Sequence, residues 1–391
     1  MSAVVADPAS VTGRLRPRVL TGPRAVVDLA AVAANTRLIA DHTSAEVMAV
    51  VKADGFGHGA ADLARTSLAN GATWLGVASM AEAYALREDG IDAPLLSWLN
   101  GLDADYATAV ASGVDLAVPS LEHLQALAGG APGARVHLHL DTGLARDGAD
   151  PHEWVALCLA AARAQHQGLL TVVGVMGHLP CAEQPGHWST RLGRERFTWG
   201  VAVARRCGLR PRHRHLASTA ATLTDPRTHH TMVRIGAGLV GIDPSGTTAL
   251  AGALTLNAPL VSVREAPAGT AVGYGHAWTA SVVTRLGLVP LGYADGLPWA
   301  ASGRAEVLVR GVRRPLVGRI SMDQAVVDLG DTGARPRDTV TVLGPGDDGE
   351  PTVADWAHWS RTLPHEVVTG LGARTPRVVL PAPSPHLGGL R

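Results

Sequence analysis

Lysine is almost absent from this chain of 391 residues: of its 34 Lys and Arg residues only one, Lys52, is lysine. Wherever a solvated positive charge suffices the chain uses arginine, so the single ammonium is marked for chemistry that arginine cannot perform. An amine can lose its proton and attack a carbonyl, whereas a guanidinium keeps its proton. Lys52 is therefore a Schiff-base candidate, set against the bland alternative of compositional drift that spared one surface lysine. The apolar run Val47-Met48-Ala49-Val50-Val51 before it and the turn Ala53-Asp54-Gly55-Phe56-Gly57-His58-Gly59 after it are a poor setting for mere solubility. Cysteine is scarce too. Cys158, Cys181 and Cys207 are odd in number and lack metal-ligand spacing, which speaks against a disulfide framework and for a reducing, cytoplasmic compartment. Net charge is zero and the isoelectric point is near 7.3, so no electrostatic footprint for nucleic acid or an anionic membrane is present and a small-molecule ligand is expected. No apolar run approaches the roughly 18 residues of a membrane span. The first 23 residues carry arginine and proline but no apolar core of an export signal.

What is present is a large apolar fraction, 46 %, with only 17 % charged residues, enough for a sizeable core in two domains. The pattern divides the chain into an N-terminal arm (1–23), a barrel domain (24–250), a mostly β domain (251–380) and a tail (381–391). In the second segment short apolar runs alternate with helix-like stretches, the signature of repeated βα units. Eight strands are expected: 47–51, 74–78, 94–99, 114–118, 135–140, 172–176, 213–217 and 233–240. Helices are expected at 29–39, 80–87, 122–128, 152–163 and 191–206. The count predicts an α/β fold of the (β/α)8 barrel type, with a doubly wound open sheet as the alternative that counting leaves open. Beyond residue 250, β-branched runs separated by Gly, Pro and Asp predict strands at 260–264, 282–291, 305–309, 325–329 and 339–343, and a helix at 353–363.

Chemistry collects at the expected strand ends. Lys52 ends the first strand, His139 and Asp141 the fifth, His178 the sixth, and His215, Ser218 and Thr219 the seventh, while Arg234 and Gly236 lie on the eighth. Each alone is more simply a satisfied polar cap. Five polar ends together, one bearing the only lysine, point to a shared site at the carboxyl face of a barrel. The Ser218-Thr219 and Gly236-Ala237-Gly238 turns offer hydroxyl and N–H donors to an anion such as phosphate.

The segment Ala49-Val50-Val51-Lys52-Ala53-Asp54-Gly55-Phe56-Gly57-His58-Gly59 resembles the pyridoxal-phosphate attachment site of the alanine racemase family. Further matching segments follow in order: 140–143, 175–178, 215–217, Arg234-Ile235-Gly236, Gly273-Tyr274-Gly275, 292–296 and 318–324. The resemblance runs from about Arg24 to Arg377. It implies a barrel followed by a β domain, pyridoxal 5'-phosphate as cofactor, a small amino-acid substrate and a homodimer with shared active sites. It further implies that Lys52 holds the cofactor and serves as one acid/base group, with Tyr274 of the second subunit as the other. The implied cofactor contacts are His178, His215, Thr219, Arg234, Gly236 and Ala237. Those to substrate are Arg146, Tyr293, Met322 through its backbone N–H, and Asp323. No metal is implied.

The chain departs from the family pattern at several places. Phe56 replaces the usual tyrosine four residues after the lysine, and Ala373 stands where many members have a second phosphate-contacting tyrosine. His139 occupies the position of a lysine that becomes carbamylated, and Ser218 that of an asparagine. These changes predict weaker cofactor retention and an altered substrate range, alanine or a related small amino acid such as serine. Two alternatives stand beside racemisation of L- and D-alanine: a decarboxylase of related fold, which usually carries a cysteine near Ser321, and a degenerate cofactor-binding protein without turnover.

Overall fold

The computed structural model describes residues 21–382; the expected arm over residues 1–20 and tail over residues 383–391 lie outside the described residues. Eight parallel strands, Glu46–Val50, Ala72–Val77, Leu95–Ser97, Val114–Val118, Ala134–His139, Leu170–Met176, His213–His215 and Met232–Ile235, close into a barrel. Closure is decided by the first strand, in which Met48 pairs with Trp74 on one side and with Arg234 on the other. Because helices cover the outside while side chains fill the inside, these strands are buried almost end to end, which is why they read as unbroken apolar runs. Met48, Trp74, Leu96, Ala117, Met176 and Met232 form one core cluster, with Trp98 packed against it.

The five expected helices are present as Leu29–Asp41, Met80–Glu88, Leu121–Gly130, Trp154–His166 and Trp188–Arg206. Local chemistry sets their starts: Asp28 and Ser120 cap two of them, and Ser79 and Glu82 form a reciprocal capping box at a third. The expected strand over 233–240 is shorter than the sequence suggested. It ends at Ile235, and Ala237–Val240 form a 3-10 turn closed by Gly241 at φ 89°. Glycines at 236 and 238 weaken an extended run, and the Gly238 N–H donates to Thr219 Oγ1 instead of continuing a ladder.

Two compact units divide the described chain. Residues 26–254 with 363–371 and 377–382 make up the barrel unit, and residues 21–25 with 255–362 and 372–376 the second. In the second unit the sheet runs in the order Ser262–Ala266, Thr284–Val289, Ala325–Asp328, Val312–Val317, Glu306–Val309, Thr339–Leu343, Leu254–Pro259. Val312–Val317 escaped sequence reading because Arg313, Arg314 and Pro315 break the apolar pattern on a half-exposed strand. A small ribbon, Ala271–Val272 against Trp278–Thr279, presents Tyr274 on its connection. The late helix stops at Ser360, where Arg361 turns left-handed at φ 56°, and Pro364 opens a new helix, Pro364–Thr369.

Candidate active site

At the carboxyl ends of the barrel strands lies a cavity of about 670 Å³, and its wall includes Lys52, Phe56, Trp98, His139, Arg146, His178, Thr219, Arg234, Gly236, Ala237 and His365. Lys52 leaves the first strand into a turn of unusual hand: Ala53, Asp54, Gly55 and Phe56 have φ of 53, 51, 59 and 57°. Left-handed backbone costs roughly 1–2 kcal/mol for each residue bearing a Cβ, so this turn persists only because its surroundings hold it. Glu82 accepts from the Ala53 N–H at 2.7 Å, Asp54 Oδ1 accepts from the Ala60 N–H at 3.0 Å, and His58 Nδ1 donates to the Phe56 carbonyl at 2.7 Å. The Lys52 ammonium lies over the Trp98 ring, 5.9 Å from its centroid. Burial first, then the Arg146 and Arg234 cations, lower the pKa of Lys52, with Glu82 partly opposing them. The amine is thereby made easier to deprotonate, as a nucleophile and proton acceptor requires.

Arg234 is buried on the eighth strand, and its terminal nitrogens are spent on the barrel wall. Nη1 donates to the His215 carbonyl at 2.8 Å and Nη2 to the Gly177 carbonyl at 2.7 Å. Nη1 also lies 3.0 Å from His215 Nδ1, and Nη2 3.2 Å from His178 Nδ1. Burial pushes Arg234 down to about 10, which leaves it charged at neutral pH. Burial, then Arg234 and Arg146, drive His178 down to about 3, so its imidazole is neutral and can accept from the arginine.

The anion side of the cavity is built from Thr219 and the Gly236–Gly238 turn. The Phe56 ring lies against this turn: a Cβ on Gly236 would come 2.6 Å from Phe56 Cζ, so position 236 has no room for a side chain. On the opposite flank, Asp141 Oδ1 accepts three successive N–H groups, those of Gly143, Leu144 and Ala145, and shapes the loop that carries Arg146. His139 Nδ1 stands 3.3 Å from Asp147 Oδ2 and lowers the pKa of that carboxyl. A deprotonatable amine, a charged guanidinium and an anion cradle around one cavity suit a phosphorylated aldehyde that forms a Schiff base.

The cavity thus gathers Lys52, Arg146, His178, Thr219, Arg234, Gly236 and Ala237. His215 does not line it but is fully buried behind Arg234. Tyr274, Tyr293, Met322 and Asp323 belong to the other unit and are not among the residues lining this cavity. Tyr274 is 73 % exposed on its ribbon turn, where the Arg319 guanidinium approaches Gly275. Tyr293 and Ala294 donate their N–H groups to the Ser321 and Met322 carbonyls, which locks these two motifs together, and Asp323 pairs with Arg374 at 2.6 Å. Sequence reading missed Trp98, Glu82 and His365. His365 lies in the stretch assigned from sequence to the β domain, yet it lines the cavity and its buried Nδ1 has no hydrogen-bond partner among the described residues; no local pattern distinguishes it.

Residues 27–244 match the family model for the alanine racemase N-terminal domain and residues 253–379 that for the alanine racemase C-terminal domain. The chain is 44 % identical over 360 residues to the alanine racemase of Thermobifida fusca, covering 90 % of this chain and 96 % of that protein. The crystal structure of alanine racemase from D-cycloserine producing Streptomyces lavendulae superposes with a TM-score of 0.90 at 41 % identity, covering 93 % of this chain and 98 % of that one. That of Bartonella henselae, with covalently bound pyridoxal phosphate, gives 0.83 at 25 % identity, covering 92 % of this chain and 100 % of that one.

Proposed function

We infer the chemistry of this cavity from one premise: the chain belongs to the alanine racemase family. Its activity is the interconversion of L- and D-alanine, an isomerisation at Cα, and this sets aside the decarboxylase alternative. The cofactor we assign is pyridoxal 5'-phosphate, which the Bartonella henselae protein carries covalently and whose groups the cavity matches in kind. Bound there, it supplies an electron sink for the charge that develops when the Cα proton leaves.

The chain's own residues divide the work. Lys52 is the attachment point and, once released by the substrate amine, the proton acceptor and donor on one face of the substrate. Tyr274 of a second subunit serves the opposite face, so the active form is a cytoplasmic homodimer with shared sites. Racemisation requires two such groups, because a proton removed and returned on the same face restores the starting enantiomer. Arg234, charged and buried, faces the ring nitrogen as a donor that does not surrender its proton. His178 and His215 accept from Arg234 and hold it in place. Thr219, Gly236 and Ala237 take the phosphate. Arg146, with the Met322 N–H, takes the substrate carboxylate, and Tyr293 and Asp323 shape that end of the substrate site.

The observation that carries this reading is the placement of the only lysine, its pKa lowered by burial, in one cavity with a buried arginine. The test is proton exchange at Cα, followed by NMR in heavy water with the cofactor-loaded protein and each enantiomer of alanine and serine. Exchange with alanine is expected. Lys52→Ala should abolish it, and Tyr274→Phe should slow one enantiomer far more than the other. Cofactor binding without exchange for any of the four would establish the degenerate alternative.

A further inference from the structure

We propose that Asp115 and His137, which touch neither the cavity nor Arg234, are positioning residues that orient Arg234 by dictating which nitrogen of His215 carries the proton. The proposal rests on the reading of Arg234 as the group facing the cofactor ring.

The argument follows hydrogen-bond direction through the barrel interior. A guanidinium only donates, so His215 Nδ1, 3.0 Å from Arg234 Nη1, must accept. The His215 proton is then on Nε2. That atom lies 2.8 Å from His137 Nδ1, which must accept in turn, leaving the His137 proton on its own Nε2. His137 Nε2 points at Asp115 Oδ2, 3.4 Å away. Asp115 is forked by Arg135 at 2.9 and 3.3 Å, and a carboxylate held this way accepts and does not donate. With a donor-only group at one end and an acceptor-only group at the other, the relay closes in one direction: Arg234 to His215 to His137 to Asp115. If either histidine took the other tautomer, two N–H groups would face each other somewhere along it. A cationic His137 would force the same collision at His215 Nε2.

Four further observations support the relay. His137 and His215 are fully buried and Asp115 nearly so, which removes water as an alternative partner. Gly174, on the sixth strand between them, has no side chain, and a Cβ there would overlap His137 Nδ1, the atom that bonds His215. His213 stacks beside His137 with ring centroids 5.9 Å apart, but its Nδ1 is taken by Glu46 at 2.9 Å, so it leaves the relay unbranched. Among the described residues Arg234 forms no ion pair with a carboxylate, so its orientation depends on acceptors alone. A wrong tautomer at the end of such a chain is damaging even when geometry is intact, as serine proteases show when the aspartate behind their histidine becomes an amide.

The tautomers are read directly by long-range proton–nitrogen NMR on protein labelled with ¹⁵N-histidine and free of cofactor. His137 and His215 should both carry their protons on Nε2. Asp115→Asn introduces an amide that can donate, so both histidines should change tautomer. Affinity for pyridoxal 5'-phosphate should fall roughly 10–100-fold, the range typical of losing an outer hydrogen-bond partner, and kcat should fall while KM for alanine holds. Asp115→Glu, which keeps an acceptor-only group, should retain the wild-type tautomers and most of the affinity. A wild-type protein with either histidine protonated on Nδ1 overturns the proposal without any variant. So does an Asp115→Asn protein with unchanged tautomers and affinity. Changed tautomers with unchanged affinity and kcat would sink the reading of Arg234 itself, and the proposal with it.

Discussion

Phe56 lines the cavity beside the turn to which the cofactor phosphate is assigned. Its Cζ is the ring atom nearest the space beside Gly236, so a tyrosine hydroxyl at that atom would stand next to the Gly236–Gly238 turn, to which the phosphate is assigned. Phe56→Tyr should therefore tighten cofactor binding by about 1.5–3 kcal/mol, the usual value of a hydrogen bond to a charged group. Titration of the cofactor-free protein checks this, and an unchanged affinity would mean that the phosphate does not reach this turn. Two residues on, burial pushes His58 down to about 4, against its bond to the Phe56 carbonyl. The folded protein keeps this imidazole neutral while the unfolded chain binds a proton below pH 6.5. Stability is therefore lost as pH falls from 6.5 toward 4, by up to about 3 kcal/mol from this group, and is unaffected above that window. His58→Asn keeps a donor to the Phe56 carbonyl and gives up nothing at Nε2, which has no hydrogen-bond partner among the described residues. Its melting temperature should vary less with pH between 4 and 6.5 than that of the parent, while the other histidines whose pKa burial lowers, among them His178, His215 and His230, keep a slope of the same sign.

At the scale of elements, the left-handed turn after Lys52 is the most demanding feature. It turns the chain away from the strand immediately beyond the lysine, and its far end is clamped by the helix Pro364–Thr369. Gly57 has φ 77°, and a Cβ there would lie 2.5 Å from the Val368 carbonyl oxygen. Gly57→Ala should therefore incur both the left-handed penalty and overpacking against backbone, more than about 2 kcal/mol together. Gly90→Ala is the matched control, because φ is 74° and nothing lies within 4 Å. It should lose only the backbone penalty, about 1–2 kcal/mol. Urea unfolding of both variants checks the difference, and equal losses would show that the helix yields to the added methyl. The same clamp brings His365 to the cavity wall, a placement that depends on one short helix packing back onto the barrel unit.

For the molecule as a whole, the residues assigned to one reaction belong to two compact units, and Tyr274 is largely exposed within its own chain. A site completed by a second subunit predicts complementation. Lys52→Ala and Tyr274→Phe proteins, each without racemisation alone, should regain about a quarter of the wild-type racemisation rate when unfolded together and refolded, since half the dimers are hybrids with one intact site of two. Absence of recovery, with hybrid dimers demonstrated by mass, would place both groups in one chain. How much of this molecule can be read without coordinates depends on pattern strength. All eight barrel strands were legible because double burial makes each an apolar run, and Lys52, His178, Thr219 and Arg234 were legible because polar residues at the ends of such runs are conspicuous. Val312–Val317 was hidden by arginines and a proline on a half-exposed strand. Asp115 and His137 lie inside strands, where spacing gives no sign that the two side chains meet.

By itself the sequence determined the alternation of strands and helices up to residue 250, the mostly β texture beyond it and the identity of the amine, because these follow from hydrophobic periodicity, turn chemistry and the scarcity of lysine. Only the tertiary structure decided that the sheet closes, that His365 joins the cavity while His215 stands behind it, and that four polar groups on different strands form one directed relay. Those outcomes depend on distances between residues far apart in the chain, which no local pattern encodes: the strands bearing Asp115 and Arg234 meet the histidines between them only once the barrel closes.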